Sequence, residues 1–149
     1  GSAWDYAITV EGWESKIFTP GDEGPTEIAG PGDFAVITDP GQQKVTVRVP
    51  KSILGDTPEA WRYAAVVMSQ EGFPSGGVLR VRDVGVAAEQ WRIGGAPAGA
   101  TNHTRVLDLV WAEAGQQEAW LSDFAPSTAA QAELTADDFA RVEMLTLEP

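Results

Sequence analysis

The sequence predicts an all-β domain, an antiparallel β-sandwich with one or two short helices. The 16 Gly and 10 Pro are spread along all 149 residues, so they divide the chain into short segments separated by turns. Residues 44–49 alternate Val with polar residues, which is the period of a strand with one buried face. Hydrophobic residues form 43% of the chain, enough for one core, and we therefore predict a single module over residues 1–149.

The strand-like segments recur along the chain. We expect strands at residues 5–10, 34–38, 44–49, 61–68, 105–110 and 142–147. Val45, Val47 and Val49 should face the core, since they occupy alternate positions of the third segment. Residues 61–68 are apolar on both faces after the first positions, which is typical of a strand covered on both sides.

Turns and short helices fill the space between these strands. Residues 40–43 form a Pro- and Gly-containing turn. Pro50 can start a short helix, and Gly55 is placed to end it. Residues 116–123 predict a second short helix, and the polar, Ala- and Thr-rich residues 126–138 predict a surface excursion.

Composition excludes several classes of function. Ten Lys and Arg face 22 Asp and Glu, for a net charge of −12, which repels nucleic acid and anionic lipid. Insertion into a membrane is not expected, because no apolar run approaches the roughly 18 residues that a spanning helix needs. The absence of Cys excludes disulfides, thiolate zinc sites and a cysteine nucleophile.

Six Trp are present, and Trp serves either as core filler or as a platform for sugar rings. Trp4, Trp61 and Trp111 lie within or beside apolar segments, which favours the core. Trp13 and Trp91 have polar neighbours, so sugar stacking and core packing both remain open for them.

A Gly-rich segment at residues 69–77 follows a predicted strand. Loops of this composition approach ligands closely, which makes Phe73 and Gln70 candidate sugar contacts, although a plain long turn also fits. The segment is not a phosphate loop, because no Gly-Lys-Ser/Thr follows it. Arg80 could offer fixed donors to a sugar, or could form a structural ion pair.

Two acidic turns offer hard oxygen ligands of the kind that Ca²⁺ prefers. They contain Asp22 and Glu23 in one turn and Asp33 in the other. Neither turn has EF-hand spacing, so a solvated acidic turn is the alternative to a calcium site.

The single histidine, His103, has two conceivable roles. As a haem ligand it would pair with Met68 or Met144, and we expect no haem. As a member of a triad it would need a nucleophile elbow, but no Gly-x-Ser-x-Gly occurs. No catalytic residues are predicted.

An ordered set of motifs resembles one known family. The set runs through Ala3-Trp4-Asp5-Tyr6, Gly12-Trp13, Val45–Gly55, Trp61-Arg62-Tyr63, Ser69–Phe73, Gly76-Gly77, Arg80, Glu89–Gly95 and Val106–Val110. This order resembles the C-terminal module of bacterial glucodextranases, which is also found on amylopullulanases and S-layer-associated proteins. The match spans about residues 4–124.

That family is similar to DOMON-like and family 9 carbohydrate-binding modules. The resemblance implies a jelly-roll-like sandwich, a secreted or cell-surface location, sugar binding without catalytic residues, and structural calcium. The family's module begins upstream of the motif at Trp4. The resemblance therefore implies that another polypeptide, or a second copy, supplies the missing strands; a smaller self-sufficient sandwich is the alternative.

Three hypotheses follow. The leading one is a non-catalytic carbohydrate-binding module that binds an α-glucan or a cell-envelope polysaccharide and is appended to a hydrolase. The second is a structural interaction subunit of a cell envelope or S-layer. The third is a haem-binding DOMON domain.

Overall fold

The structure, a computed structural model, describes residues 4–12, 14–56, 61–71, 80–90, 92–96, 98–99, 105–110, 113, 115–117, 133 and 144–146. The chain divides into two compact units, an N-terminal unit over Gly1–Glu59 and a C-terminal unit over Ala60–Pro149. Each unit is described by itself below. A single module over residues 1–149 stays a prediction.

Strands dominate both units. The N-terminal unit contains β1 (Ala7–Val10), β2 (Ser15–Thr19), β3 (Thr26–Ala29), β4 (Ala35–Asp39), β5 (Lys44–Arg48) and α1 (Lys51–Leu54). The C-terminal unit contains β6 (Arg62–Tyr63), β7 (Val66–Met68), β8 (Gln70–Glu71), β9 (Arg80–Val81), β10 (Asp83–Val84), β11 (Arg92–Ile93), β12 (Val106–Leu109) and β13 (Leu145–Thr146). β10 and β11 pair in parallel, and the other strand pairs in the described residues are antiparallel. The predicted all-β class with antiparallel sheets is confirmed.

A three-stranded sheet of order β1-β2-β3 holds the core of the N-terminal unit. Glu11 N–H donates to the Glu14 carbonyl at 3.2 Å and closes the β1–β2 hairpin. Ile17 in the central strand lies opposite Ile8 of β1 and Ala29 of β3, and its side chain is 0% exposed. Burial of Ile17 between two strands is what fixes the register of this sheet, because a one-residue slip would turn it to the other face.

The other face of this sheet combines charged and apolar residues, since Lys16 and Phe18 both alternate with Ile17 along β2. The Lys16 ammonium lies 3.2 Å from Glu14 and 3.1 Å from Glu27. The hydrogen bonds that the Lys16 ammonium donates to Glu27 and then to Glu14 raise the pKa of Lys16 above its ordinary value. Lys16 therefore joins β2 to both neighbouring segments on the side opposite Ile17.

β4, β5 and the turn between them were predicted correctly as separate elements, but the burial of Val45 was not. The turn is held by the Gln43 N–H, which donates to the Pro40 carbonyl at 3.3 Å. Val47 and Val49 are half-buried, whereas Val45 is 59% exposed, so the expectation that Val45 faces the core is wrong. Val45 is one residue from the turn and pairs with the exposed Thr38, so it lies at the open end of a two-stranded ribbon.

The predicted helix after Pro50 is confirmed. Ile53 N–H donates to the Pro50 carbonyl at 3.0 Å, and Gly55 N–H donates to the Lys51 carbonyl at 2.7 Å. Gly55 has a φ of 75°, in the region that favours glycine, and so ends the helix.

The predicted strand at residues 61–68 is two short strands, β6 and β7, interrupted at residues 64–65. β6 pairs with β13, and β7 pairs with β12. The expectation that this strand is covered on both sides is wrong, because the three residues of β7 are exposed, namely Val66, Val67 and Met68. The β7–β12 register shifts between Val106 and Asp108, and such a bulge bends the strand and strengthens its twist. Leu109 of β12 is the buried residue of this pair.

Glycines allow a close approach between residues 83–86 and 92–96. Gly85 N–H donates to the Ile93 carbonyl at 2.7 Å, and Ala96 N–H donates to the Gly85 carbonyl at 2.9 Å. A side chain at Gly85 would meet the aliphatic part of Arg92, and one at Gly94 would lie 2.6 Å from the Ala88 nitrogen. Ala96 is buried beside this crossing.

The remaining strand predictions are confirmed at reduced length. β1, β4, β12 and β13 fall at the predicted residues 5–10, 34–38, 105–110 and 142–147. β4 and β12 agree to within one residue at each end, and β1 begins two residues later than predicted. Of the predicted helix at residues 116–123, Gln116 and Gln117 are helical, and the rest lies outside the described residues. So does the predicted excursion at residues 126–138, apart from Glu133.

Candidate functional site

The aromatic residues chosen for sugar binding from the sequence, Trp13, Phe73 and Trp91, lie outside the residues that the structure describes. The residues on either side of Trp91 are joined by backbone hydrogen bonds and an ion pair. Glu89 and Arg92 exchange two backbone hydrogen bonds of 3.0 and 3.2 Å, and the Arg92 guanidinium lies 3.8 Å from the Glu89 carboxylate.

Gln70 and Arg80 belong to the paired strands β8 and β9. Position 70 pairs with position 81, and position 71 pairs with position 80. Directly paired positions share a face of a sheet and neighbouring positions do not. The register therefore places positions 70 and 80 on opposite faces of this strand pair, and sugar binding by these two residues stays a prediction.

The three carboxylates predicted for calcium are also separated. Asp22 and Glu23 lie in the turn between β2 and β3, and Asp33 lies in the turn between β3 and β4. These turns are at opposite ends of β3, about 13 Å apart for four residues at 3.3 Å each. Within the described segments, no group of three or more His, Cys, Asp or Glu is arranged to hold a metal ion.

Asp33 is engaged by its own turn. One of its carboxylate oxygens accepts the Gly30 N–H at 2.9 Å, and its own N–H donates to the Gly30 carbonyl at 3.1 Å. Gly32, with a φ of 99°, supplies the conformation that this turn needs. The structure thus gives Asp33 a role in closing a turn, and calcium binding stays a prediction.

The His103 side chain lies outside the described residues. Met68 and Met144, its possible partners around a haem, are both exposed.

Trp61 and Tyr63 form an aromatic pair in the C-terminal unit. Their ring centroids are 6.0 Å apart and the ring planes are inclined by 54°. They occupy alternate positions of one extended segment, so both side chains project to the same face. Tyr63 is 41% exposed, and Trp61 is half-buried. The pair thus combines one exposed ring and one half-buried ring on a single face.

Strand pairing supports this aromatic pair. β6 is held by β13, in which Leu145 lies directly opposite Tyr63 and shares its face. Thr146 lies opposite Arg62, and both are exposed on the other face. One side of the β6–β13 ribbon is therefore aromatic and apolar, and the other is polar.

Sequence reasoning placed Trp61 in the core and missed this surface. The signal was present in the spacing, because Trp61 and Tyr63 flank Arg62 with the period of two that a strand needs to expose both rings on one face. The apolar run after Tyr63 argued against it, since that run predicted a buried strand.

An exposed ion pair and two hydrogen bonds hold other polar side chains of the C-terminal unit in place. The Arg105 guanidinium lies 2.5 Å from the Asp83 carboxylate. Asp108 accepts hydrogen bonds from the Leu109 N–H at 2.8 Å and from the Gln117 side chain. Arg82 differs from these residues, because its Nε is shielded from solvent and has no hydrogen-bond partner in the part of the chain that the structure describes.

None of the helices in the described residues combines the length and the apolar character needed to cross a bilayer.

Comparison with known proteins gives one family. The family model Glucodextran_C, described as the C-terminal binding module, SLH-like, of glucodextranase, matches residues 1–136. Searches of curated proteins and of solved structures found no match.

Proposed function

We propose, from the premise that this chain belongs to the family of SLH-like C-terminal binding modules of glucodextranase, that it is a non-catalytic module that binds carbohydrate at the cell surface. The observation that carries the proposal is the aromatic pair of half-buried Trp61 and exposed Tyr63, which share one face at the start of β6. The C–H faces of sugar rings stack on aromatic rings of this kind. Truncation of an aromatic residue at the centre of a binding site often causes a large loss of binding energy.

The inclination of the two rings bears on the kind of glycan. Planes inclined by 54° cannot lie against one flat chain, but two successive sugar units of a curved chain can each meet one ring. We therefore propose an α-glucan as the ligand, with a cell-envelope polysaccharide as the alternative. Trp13, Phe73 and Trp91 remain candidates for further contacts.

Fluorescence titration tests the platform. Trp61→Ala and Tyr63→Ala should each weaken binding of a soluble α-glucan, such as dextran, by about 1–3 kcal/mol, that is by roughly 5- to 150-fold. Arg62→Ala is the matched control, because this exposed residue lies between them on the opposite face and its loss should leave affinity unchanged.

The results of these titrations distinguish an error in the proposed binding site from an error in the proposed function. If Trp91→Ala or Trp13→Ala abolishes binding while Trp61→Ala and Tyr63→Ala do not, the module binds sugar and the platform is wrong. If no member of a panel of α-glucans and envelope polysaccharides binds the folded protein, carbohydrate binding itself is wrong.

A structural subunit of a cell envelope or S-layer is the second candidate. It is favoured by the exposed apolar residues of β7, Val66, Val67 and Met68, since surfaces of this kind mark sites of protein association. A flat glycan titration combined with capture of the folded chain by purified cell-wall sacculi or S-layer protein would favour this function.

A further inference from the structure

The outer edge of β1 carries apolar side chains in the N-terminal unit. β1 is an end strand of the order β1-β2-β3, and in the described part of the chain it pairs with β2 alone. Ile8 is 41% exposed and Val10 is 43% exposed. They alternate along the strand and share the face on which Ile17 is buried, because Ile8 pairs directly with Ile17. This edge is the open margin of the core.

The same two residues direct their backbone groups away from β2. Glu11 N–H bonds to the Glu14 carbonyl, so residues 11 and 14 are a hydrogen-bonded pair. Hydrogen-bonded and non-hydrogen-bonded pairs alternate along an antiparallel ladder. The pairs Val10–Ser15 and Ile8–Ile17 are therefore the non-hydrogen-bonded ones. The N–H and C=O groups of Ile8 and Val10 point to the outer edge, where an added strand would meet them.

One carboxylate oxygen at the end of this edge lacks a hydrogen bond. Glu11 Oε2 is shielded from solvent and has no hydrogen-bond partner among the described residues. Its neighbour Glu14 is paired with Lys16 at 3.2 Å, and Lys16 also serves Glu27. A shielded carboxylate oxygen is costly to leave unpaired, so an incoming cationic side chain would gain at Glu11.

Charge decides between a second copy and a different partner. Asp5 precedes β1 and Glu11 follows it, and residues 1–59 contain ten Asp and Glu but four Lys and Arg. Two copies of β1 paired antiparallel with Ile8 opposite Ile8 would place Asp5 of each beside Glu11 of the other, which is repulsive. A segment with cationic ends meets attraction at both positions.

We propose that the outer edge of β1 is a docking site for an extended segment of another polypeptide. The segment adds a strand to the sheet, covers Ile8 and Val10 with alternating apolar side chains, and places a Lys or Arg against Glu11. Main-chain hydrogen bonds give such strand addition its affinity, and the side chains give it specificity. The docking site consists of residues of the N-terminal unit and does not include Trp61 or Tyr63, so the proposal does not depend on carbohydrate binding.

The test uses the full chain and a fluorescein-labelled peptide, Arg-Val-Thr-Val-Thr-Val-Arg, in anisotropy titrations at 150 mM NaCl. The peptide should bind, and the same peptide with Gln at both ends should bind about fivefold or more weakly, the loss expected for an ion pair of about 1 kcal/mol. Glu11→Gln should weaken the Arg peptide by a similar factor and leave the Gln peptide unchanged. Glu23→Gln removes an exposed acid of the same unit and should change neither.

A second pair of variants tests the apolar contact. Val10→Thr should weaken the binding of both peptides several-fold. Val45→Thr makes the same substitution at another exposed strand position and should leave binding unchanged. Amide exchange should slow at Ile8 and Val10 when the peptide is bound. If Glu11→Gln and Glu23→Gln lower the affinity for the Arg peptide equally, the peptide binds by general charge attraction and the proposal is wrong. Amides at Ile8 and Val10 that stay unprotected in the complex would also overturn it. Dimers of the isolated chain that use β1 would replace the proposed partner with a second copy.

Discussion

Gly94 shows at the scale of single atoms why the segment from residue 83 to residue 96 needs glycine. A Cβ there would lie 2.6 Å from the Ala88 nitrogen and 3.1 Å from the Ala87 carbonyl carbon. Both are backbone atoms, so the chain itself must move. At Gly85 the overlapping atoms belong to the Arg92 side chain, which is exposed and can swing away.

We therefore expect Gly94→Ala to lower the free energy of unfolding by about 1–3 kcal/mol, the usual cost of overpacking. Gly85→Ala should cost less and should also break the contact between Arg92 and Glu89. Gly12→Ala is the control, because nothing lies within 4 Å of the added methyl group. Urea unfolding followed by circular dichroism measures all three. A neutral Gly94→Ala would mean that the approach of residues 88 and 94 is looser than described.

At the scale of strands, burial differs from what alternation predicts. Ile17→Ala should destabilise the protein by about 2–5 kcal/mol, because Ile17 is fully buried and its loss leaves a cavity. Val45→Ala removes a similar side chain at 59% exposure and should cost well under that. The ratio of the two effects in chemical unfolding tests the assignment directly. Equal losses would restore Val45 to the core.

The β4–β5 hairpin and α1 could be predicted because their signals are local. Pro40, Gly41, Pro50 and Gly55 fix the turns, and the Val/polar alternation of residues 44–49 has the period of a strand. Burial is a tertiary property, so the same alternation could not reveal that Val45 stands beside a turn at the open end of a ribbon.

β2 and β3 were missed because their local signals are mixed. Ser15–Thr19 combines polar, charged and aromatic residues, and the acidic turn at residues 21–24 drew attention to metal binding instead. Their pairing depends on contacts between Ile17 and Ala29, which are twelve residues apart. Sequence periodicity within one segment carries no information on such contacts.

Sequence reasoning and the structure point to different aromatic residues for the candidate site. The sequence singled out Trp13, Phe73 and Trp91, which lie outside the described residues, whereas the structure pairs half-buried Trp61 with exposed Tyr63. Trp61 was assigned to the core because the next strand, β7, is wholly apolar. Apolar composition predicts burial only where another layer covers the strand, and β7 is exposed.

Charge acts on the whole molecule. The chain carries a net charge of −12, and this excess repels itself more strongly in the compact state than in the unfolded chain. Five ion pairs occur in the described residues, all with substantial exposure. Exposed pairs contribute about 0–1 kcal/mol each, so screening them costs little.

Moderate salt should therefore stabilise this protein. Raising NaCl from 10 to 150 mM shortens the screening length from about 30 to 8 Å, which weakens repulsion across the molecule while close pairs persist. We expect the melting temperature to rise by about 2–4 °C for each kcal/mol of stability gained, the scaling for a chain of this size. A melting temperature that falls with NaCl would show that ion pairs outweigh the net repulsion.

A comparison of CaCl₂ with NaCl at equal ionic strength separates calcium binding from this screening effect. A further rise of the melting temperature with CaCl₂ that Asp22→Asn or Glu23→Gln removes would indicate a calcium site in the folded state.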